Sequence, residues 1–270
     1  MPRRRLTERF PWLLPLRRRQ RIFCFYLKMR LSRTRWARRQ ERQRLPVLLF
    51  ESRCPMYNRD TGFPMLYQEN KVHNLRLAAR KLDGLMIYPG ETFSFSLGVR
   101  HADRETPYRD ALTELNGALT AEYGGGLCQI SNLLCWLFLH TPLTMTERHG
   151  HSKKDFPEPP SDAPLGVDAT VAEGWLDLRA RNDTDLPMQL GIDFDDEHII
   201  GRIYAGRSPG YTVRVVNRGL EYRREPDGIY ELVDVVQQRL DPDGRVTDEH
   251  TAYRNRCLIN YRLPEDTVIN

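Results

Sequence analysis

The sequence predicts an α+β fold, in which N-terminal helices and a central cysteine-bearing helix pack on a mostly antiparallel sheet. Helical patterns occur in the first half of the chain, and short strand-like segments separated by turn residues fill the second half. Asn182-Asp183 and Asp241-Pro242-Asp243-Gly244 are two such turns. Because helices precede a run of strands and do not alternate with them, the pattern favours α+β over α/β.

The elements before the central helix follow from periodicity and turn chemistry. Apolar or alternating runs predict strands at 45–50, 85–88 and 92–97. Helical spacing predicts helices at 70–83 and 109–115, and Gly84 is a stop signal for the first of them.

Three consecutive glycines, 124–126, precede the central helix and free the backbone for positive φ and close approach. Apolar residues then recur at three- and four-residue spacing, which predicts a mostly buried helix that ends near His140, before Pro142. These apolar residues are Leu127, Ile130, Leu133, Leu134, Leu137 and Phe138. Cys128 therefore lies in the first turn, where the helix dipole lowers the thiol pKa and favours the reactive thiolate.

The chain after the central helix is predicted to be strand after strand. The expected strands are 143–148, 167–171, 175–181, 188–194, 198–205, 211–217, 228–238 and 254–261. A stiff proline-rich loop from Pro157 to Pro164 separates the first from the second.

Charge divides the chain unequally. Residues 1–50 hold 16 Lys and Arg against Glu8 and Glu41, while the remainder holds 25 bases against 34 acids, although the net charge of the whole is only +5. The predicted organisation is a basic amphipathic extension at 1–45, an α+β domain at 46–205 and a β-rich extension at 206–270 packed on that domain. Removal of residues 1–45 is expected to leave the body folded.

The five cysteines are odd in number and lack Cys-x-x-Cys spacing, which excludes a disulfide framework and a zinc ribbon. No run of about eighteen apolar residues predicts a membrane span, and Arg17-Arg18-Arg19 follows the first apolar run, the wrong order for a secretory signal. We therefore expect a cytoplasmic protein, peripheral at the inner membrane surface.

Residues 20–37 mix aromatic and basic side chains, which is typical of a helix that lies on an anionic membrane surface. A basic helix whose aromatic residues dock on the body fits the pattern equally well. Nucleic-acid binding is a third and less favoured interpretation.

Cys128, His151 and Asp168 form the candidate catalytic set, as nucleophile, base and orienting carboxylate. Their order along the chain resembles that of papain-like and transglutaminase-like thiol enzymes, in which the cysteine opens a helix and the other two residues lie on strands. The alternative is that Cys128 only packs, since cysteine is often buried and Cys135 lies on nearly the same helix face. Replacement of Asp168 by Asn is expected to reduce turnover and leave stability nearly unchanged.

His149 is the alternative base, because alternate residues of a strand point to one face. The same geometry makes His149 and His151 a weaker candidate pair of metal ligands, with Cys128 or Asp168 as the third. Arg148 would point to the opposite face of a regular strand, or toward an anionic substrate if the strand breaks at Gly150.

Anion-binding groups for an oxyanion or substrate are expected around the nucleophile. The backbone at Gly125 and Gly126 and the amides of Leu127 and Cys128 are candidates, and Gln129 or Asn132 could add a side-chain donor. Arg148 completes the set of expected substrate-binding residues.

Several sequence blocks together resemble the VanW family. They are Asn74-Leu75-Arg76-Leu77-Ala78-Ala79, Pro89-Gly90-Glu91-Thr92-Phe93-Ser94-Phe95-Ser96, Gly124 to Leu134, Glu147-Arg148-His149-Gly150-His151-Ser152 and Gly166-Val167-Asp168-Ala169-Thr170-Val171. The arginine-rich start and the tail after residue 205 are similar to stand-alone members. Such members occur as accessory proteins in glycopeptide-resistance clusters and as modules of cell-envelope proteins, and the resemblance implies no defined reaction.

Two functions from different classes fit these patterns. The first is a thiol hydrolase or transferase that acts on a peptide, amide or ester bond of peptidoglycan or its precursor, with no cofactor. The second is a non-catalytic envelope binding or scaffold protein, in which the glycine-rich loop holds a ligand and Cys128 packs. A catalytic Cys128 must reach solvent with His151 beside it, whereas a packing cysteine need not.

Overall fold

The computed structural model describes residues 10–115, 118–157 and 159–270, and in it helices occur only before residue 140. The predicted α+β class is confirmed. The first nine residues of the predicted basic extension lie outside the described ranges.

The helices are α1 (Leu14–Leu31), α2 (Leu66–Leu82), α3 (Phe95–Gly98) and α4 (Cys128–Leu139). The strands of the first half are β1 (Arg35–Trp36), β2 (Val47–Pro55), β3 (Met86–Ile87), β4 (Glu91–Ser94), β5 (Asp110–Leu115) and β6 (Ala118–Tyr123). The later strands are β7 (Thr144–Glu147), β8 (Lys153–Lys154), β9 (Arg179–Arg181), β10 (Met188–Phe194), β11 (His198–Ala205), β12 (Thr212–Glu225), β13 (Gly228–Leu240) and β14 (Val246–Ile259).

The strands form three four-stranded sheets and one hairpin. The first sheet, in the order β2-β11-β10-β3, is antiparallel throughout. The second, β1-β4-β9-β7, has one parallel pair, β1 with β4. The third, β12-β13-β14-β8, is antiparallel except where β14 meets β8, and β5 pairs with β6.

Helix α4 lies on the first sheet and is almost wholly buried. It contacts β2 and β11, and it approaches β11 at Gly201, where an added Cβ would lie 2.8 Å from Leu137 Cδ1. The ring of Phe138 meets that of Phe93 edge-on, with 5.0 Å between the centroids. This close packing fixes the position of Cys128, the first residue of the helix.

The N-terminal region is attached to the body in two ways. In α1, Tyr26 and Met29 are buried, and the Tyr26 hydroxyl donates to the carbonyl oxygen of Ser96 at 3.0 Å. Further on, β1 pairs with β4 and Ala37 belongs to the hydrophobic core. Removal of residues 1–45 would therefore take a strand and a buried side chain from the body, contrary to the expectation from the sequence.

The structure corrects two predicted elements. The helix predicted at 109–115 is strand β5, which pairs with β6. The Asn-Gly dipeptide in the sequence between the two strands is a strong hairpin signal. The strand predicted at 167–171 is not part of any sheet, because side chains of α4 hold its backbone.

Several predicted strands have different bounds, among them 45–50, which is Val47–Pro55, and 254–261, which is Val246–Ile259. The strand predicted at 92–97 ends at Ser94, whose hydroxyl accepts from the amide of Leu97 and so caps α3. The segment predicted at 175–181 keeps only Arg179–Arg181 in the sheet. Strand β12, predicted at 211–217, continues to Glu225.

Because Leu134 of α4 is fully buried, replacement by Ala should lower the free energy of unfolding by about 2–5 kcal/mol, through lost burial and the cavity left behind. Urea denaturation measures the change. Leu220→Ala, at a half-exposed position of β12, is the control and should stay within about 0.5 kcal/mol. Equal losses for the two variants would show that α4 is not part of the core.

Candidate active site

The glycine triplet brings the chain into the start of α4. Gly124 and Gly126 have φ of +76° and +84°, a conformation that side-chain-bearing residues rarely adopt. A Cβ at Gly125 would overlap the carbonyl oxygen of Ala111 in β5, and one at Gly126 would overlap the Lys71 side chain of α2. Cys128 is then the first residue of the helix, as predicted, and the residue as a whole is partly exposed.

The structure brings together the three residues predicted as a catalytic set. His151 Nδ1 lies 2.7 Å from Asp168 Oδ2, and the same oxygen accepts the backbone amide of His151 at 2.7 Å. The ring of His151 also lies close enough to the Cys128 thiol for each group to shift the pKa of the other. Since Nδ1 faces the carboxylate, Nε2 is the nitrogen left for the sulfur.

These contacts shift the pKa values in the directions that a thiolate–imidazolium pair requires. Burial alone raises the pKa of the Cys128 thiol, but the hydrogen bond and charge of His151 outweigh it, so the pKa lies below its ordinary value. Burial lowers the pKa of His151, yet the bonds to Asp168 and Cys128 raise it well above the usual range. The two shifts support each other, because a negative charge on the sulfur favours the protonated ring and a positive ring favours the thiolate.

Asp168 also holds the guanidinium of Arg148. Arg148 Nη2 pairs with Asp168 Oδ1, and both side chains are nearly inaccessible, at 8% and 3% exposure. Although burial raises the pKa of Asp168, the bonds and charges of His151 and Arg148 hold it below its ordinary value. One ionised carboxylate therefore serves two cations.

Arg148 is directed inward by the end of its strand. Strand β7 stops at Glu147, and Arg148 Nε donates to the backbone oxygen of Asp168 at 2.6 Å. Its Nη2 donates to Asn255 Oδ1 at 2.9 Å, and its Cζ lies 4.0 Å from the centre of the Tyr253 ring. Arg148 therefore neither points to the opposite face of the strand nor faces a substrate, and both expectations were wrong. Its side chain is buried among these groups.

Gly150 explains the spacing between Arg148 and His151. A Cβ there would lie 2.6 Å from Asn255 Oδ1 and 3.1 Å from Arg148 Nη2. The absence of a side chain lets the backbone pass directly over the guanidinium and deliver His151 to the same carboxylate.

Residues 166–171, here called the Asp168 segment, are held against α4 by side chains instead of by a neighbouring strand. Ser131 Oγ donates to the Ala169 carbonyl at 2.5 Å, and Asn132 Oδ1 accepts the Ala169 amide at 2.7 Å. The segment then passes the thiol, where Thr170 Oγ1 is 3.6 Å and the Val171 carbonyl 3.9 Å from Cys128 Sγ. The two hydrogen bonds to Ala169, here called the Ala169 clamp, fix the position of the Asp168 carboxylate relative to Cys128.

Cys135 offers a contrast within the same helix. It is fully buried beside Tyr253 and Arg148, and burial raises the pKa of its thiol to about 12. The pKa values of the two thiols of α4 are therefore shifted in opposite directions, that of Cys128 downward and that of Cys135 upward.

The groups predicted to bind an oxyanion are only partly available. The amide of Gly125 donates to the Glu122 carbonyl at 3.0 Å, and its own carbonyl accepts from Asn74. Gln129 Nε2 donates to the Pro55 carbonyl at 2.5 Å, and Asn132 holds the Asp168 segment. Amides at the first turn of a helix lack intrahelical acceptors, so those of Leu127 and Cys128 remain the best placed donors.

His149 does not share the environment of His151. Its Nε2 lies 3.1 Å from Glu147 Oε1, away from the thiol, because the backbone leaves β7 before the two histidines. The expected common face of His149 and His151 is therefore wrong. Within the described ranges, no three His, Cys, Asp or Glu side chains are arranged to hold a metal ion.

Two residues of the predicted catalytic set are partly accessible, whereas Asp168 is buried beneath them. His151 keeps 24% of its side chain exposed, and Cys128 is partly exposed. Two surface cavities, one bordered by Tyr222 and Val268 and the other by Leu143 and His250, are lined by other residues.

Sequence reasoning missed several residues that shape the site. Thr170, which lies beside the thiol, was not predicted as a site residue because residues 167–171 were expected to form a strand. It does lie within one of the sequence blocks that resemble the VanW family. Tyr253 and Asn255 come from β14, more than eighty residues after Asp168, and no local pattern marked them. They show that the C-terminal strands support the charge cluster.

Two comparisons of the sequence with known proteins identify the family of this chain. The family model described as "VanW like protein" matches residues 70–204, which include α4, His151 and Asp168. The chain is also 52% identical to the "Vancomycin B-type resistance protein VanW" of Enterococcus faecalis, over 100% of its own length and 98% of that protein. The chain belongs to the VanW family.

A second relative is more distant. The uncharacterised protein YoaR of Bacillus subtilis is 32% identical over 122 residues, which cover 45% of this chain and 39% of YoaR. No solved structure matches the chain.

The lowered pKa of Cys128 predicts that this thiol of the VanW-family chain reacts with iodoacetamide at a pH below the usual range for cysteine. The rate should rise as pH increases through that lowered pKa, whereas Cys135 should react only after denaturation. Mass spectrometry of the native protein over a pH series measures both rates. Equal labelling of the two cysteines would be incompatible with activation by His151.

Replacement of Asp168 by Asn should strongly destabilise the fold, by about 3–5 kcal/mol, because it leaves the buried Arg148 without its counter-charge. This reverses the sequence-based expectation of nearly unchanged stability. Urea denaturation of Asp168→Asn, compared with Asp193→Asn at a half-exposed position, measures the effect. Equal small effects would show that Arg148 finds another partner.

The double variant Arg148→Met with Asp168→Asn removes both charges, so it should recover part of the loss. Additive destabilisation by the two changes would contradict a direct pairing.

Proposed function

We propose that this protein is a thiol hydrolase or transferase that contributes to glycopeptide resistance by acting on a peptide, amide or ester bond of peptidoglycan or its precursor. The observation that supports the proposal is the sequence of interactions from Cys128, a partly exposed residue, through the ring of His151 to the buried carboxylate of Asp168. The name of the 52% identical relative supports the biological setting, since it refers to vancomycin resistance.

The chemistry follows from the groups present. The Cys128 thiolate attacks the carbonyl carbon, and a tetrahedral intermediate with a negative oxygen forms. His151 gives its Nε2 proton to the leaving amine or alcohol, and the intermediate collapses to a thioester. His151 then takes a proton from water, for hydrolysis, or from an acceptor amine, for transfer, and the new nucleophile releases the thiol.

Asp168 acts as a positioning residue in this scheme. It fixes Nδ1 of His151 as the protonated nitrogen and stabilises the imidazolium. Arg148 keeps that carboxylate ionised, and the helix-start amides of Leu127 and Cys128 are placed near the thiol for the developing oxyanion. The order of nucleophile, base and carboxylate is that of papain-like and transglutaminase-like enzymes, an analogy of roles and order.

A non-catalytic envelope binding or scaffold role is the second candidate. One observation favours it: two surface cavities are lined by residues other than Cys128, His151 and Asp168. The close packing of the glycine triplet on β5 and α2 leaves little space there for a ligand, so the cavities are the better candidates for a binding site. On this alternative the charge cluster serves only to hold the Asp168 segment in place.

A covalent trapping experiment separates the two functions. The purified chain is incubated with synthetic peptidoglycan stem peptides and their esters, and intact-mass spectrometry detects acyl adducts. We expect a thioester on Cys128 of the native chain and none in Cys128→Ala, while His151→Gln slows acylation by about 100-fold or more. The control Cys24→Ser removes an exposed thiol outside the site and should react normally.

Absence of any adduct, combined with saturable binding of the same peptides by the native chain and by Cys128→Ala, would favour the binding protein and contradict the enzyme.

A further inference from the structure

Helix α1 carries an apolar stripe on the side that faces away from the body. Leu16, Phe23, Leu27 and Leu31 are all exposed, with Phe23 at 66% and Leu31 at 75%. At 3.6 residues per turn these four side chains fall within an arc of about 80°. We call them the outer stripe.

The opposite side of α1 is already occupied. Tyr26 and Met29 are buried against the body, and the Tyr26 hydroxyl bonds to Ser96 and to Glu173. A Cβ at Gly174 would lie 2.9 Å from Ile22, which shows how closely the loop after Val171 packs on the helix. These contacts fix the rotation of α1 about its axis, so the outer stripe faces away from the body.

Basic residues border the outer stripe on both sides. By helical position, Arg17, Arg21 and Lys28 lie along one edge, and Arg19 and Arg30 lie along the other. The sequence from residue 10 to residue 40 contains no Asp or Glu. Long basic side chains beside an apolar stripe extend their charges toward phosphate groups while their stems cover apolar surface.

Two exposed tryptophans extend the same kind of surface. Trp12 precedes α1 and is 72% exposed, and Trp175 is 64% exposed beside Arg21, whose Cζ lies 5.8 Å from the ring centre. Tryptophan favours the boundary between lipid headgroups and acyl chains.

We propose that α1 is an interfacial anchor that lies flat on an anionic lipid surface, with the outer stripe inserted at the headgroup level. None of the described helices is long and apolar enough to cross a bilayer, so the contact is with one surface. A second copy of the chain is a poor occupant, because a two-fold pairing would bring the same bases together. The proposal does not depend on catalysis by Cys128.

The anchor is distant from the candidate site in sequence but contacts the segment that follows it. Tyr26 of α1 bonds to Glu173, and Val171, two residues earlier, contacts the Cys128 thiol. Lipid binding through α1 would therefore hold the triad beside the membrane surface, where a lipid-linked cell-wall precursor is located.

The test uses the full chain in co-sedimentation with vesicles of equal parts phosphatidylglycerol and phosphatidylcholine, and with vesicles of phosphatidylcholine alone. We expect binding to the first and at least about tenfold weaker binding to the second. Raising the salt concentration about tenfold should weaken binding to anionic vesicles, because surface charges are screened. Equal binding to both vesicles, or none to either, overturns the proposal.

Variants locate the contact. Phe23→Asp with Leu27→Asp should weaken binding at least about tenfold, whereas Leu220→Asp with Val246→Asp, on exposed positions of β12 and β14, should leave it unchanged. Circular dichroism checks that each variant is folded. Unchanged binding of a folded Phe23→Asp, Leu27→Asp variant overturns the outer stripe as the contact.

A measurement on the native chain covers the case in which the variants do not fold. Brominated phosphatidylglycerol should quench the tryptophan fluorescence, which includes that of exposed Trp12 and Trp175. Absence of quenching, or a concentration-dependent dimer lost in the stripe variant, would contradict lipid as the occupant.

Discussion

One buried carboxylate shared by two cations is the interaction on which the candidate site depends. Asp168 accepts from the ring and amide of His151 through one oxygen and from Arg148 through the other. With a single cation, either the ring or the guanidinium would be a buried charge without a partner. With both, the pKa of the carboxylate is held below its ordinary value and the pKa of the ring is raised above its own.

This sharing couples stability to reactivity. Asn255 and Tyr253 bring β14 against Arg148, so the third sheet supports a cluster whose other members come from the family-matched region. The Ala169 clamp then fixes the distance between this carboxylate and Cys128. A substitution in β14 that moves Arg148 is therefore expected to move Asp168 and, with it, the ring of His151 beside Cys128.

The predictable features were local in the sequence. Cys128 at a helix start follows from apolar spacing behind three glycines, and the proximity of His151 and Asp168 was inferred from residue type and order. The Asp168 segment was misread as a strand because alternation predicts extended backbone and cannot tell whether another strand or a helix side chain satisfies it. Arg148 was misplaced because its direction depends on where β7 ends, and on Asn255, which is distant in sequence.

The central claim is that Cys128 and His151 form an ionised pair. NMR titration of the His151 ring nitrogens tests this claim most directly. In the native chain, the ring should be protonated at pH 7 with a pKa above 6.5, and the pKa should fall in Cys128→Ala because the thiolate that favours the cation is gone. A ring that is neutral at pH 7 and titrates identically in both proteins would contradict the ion pair.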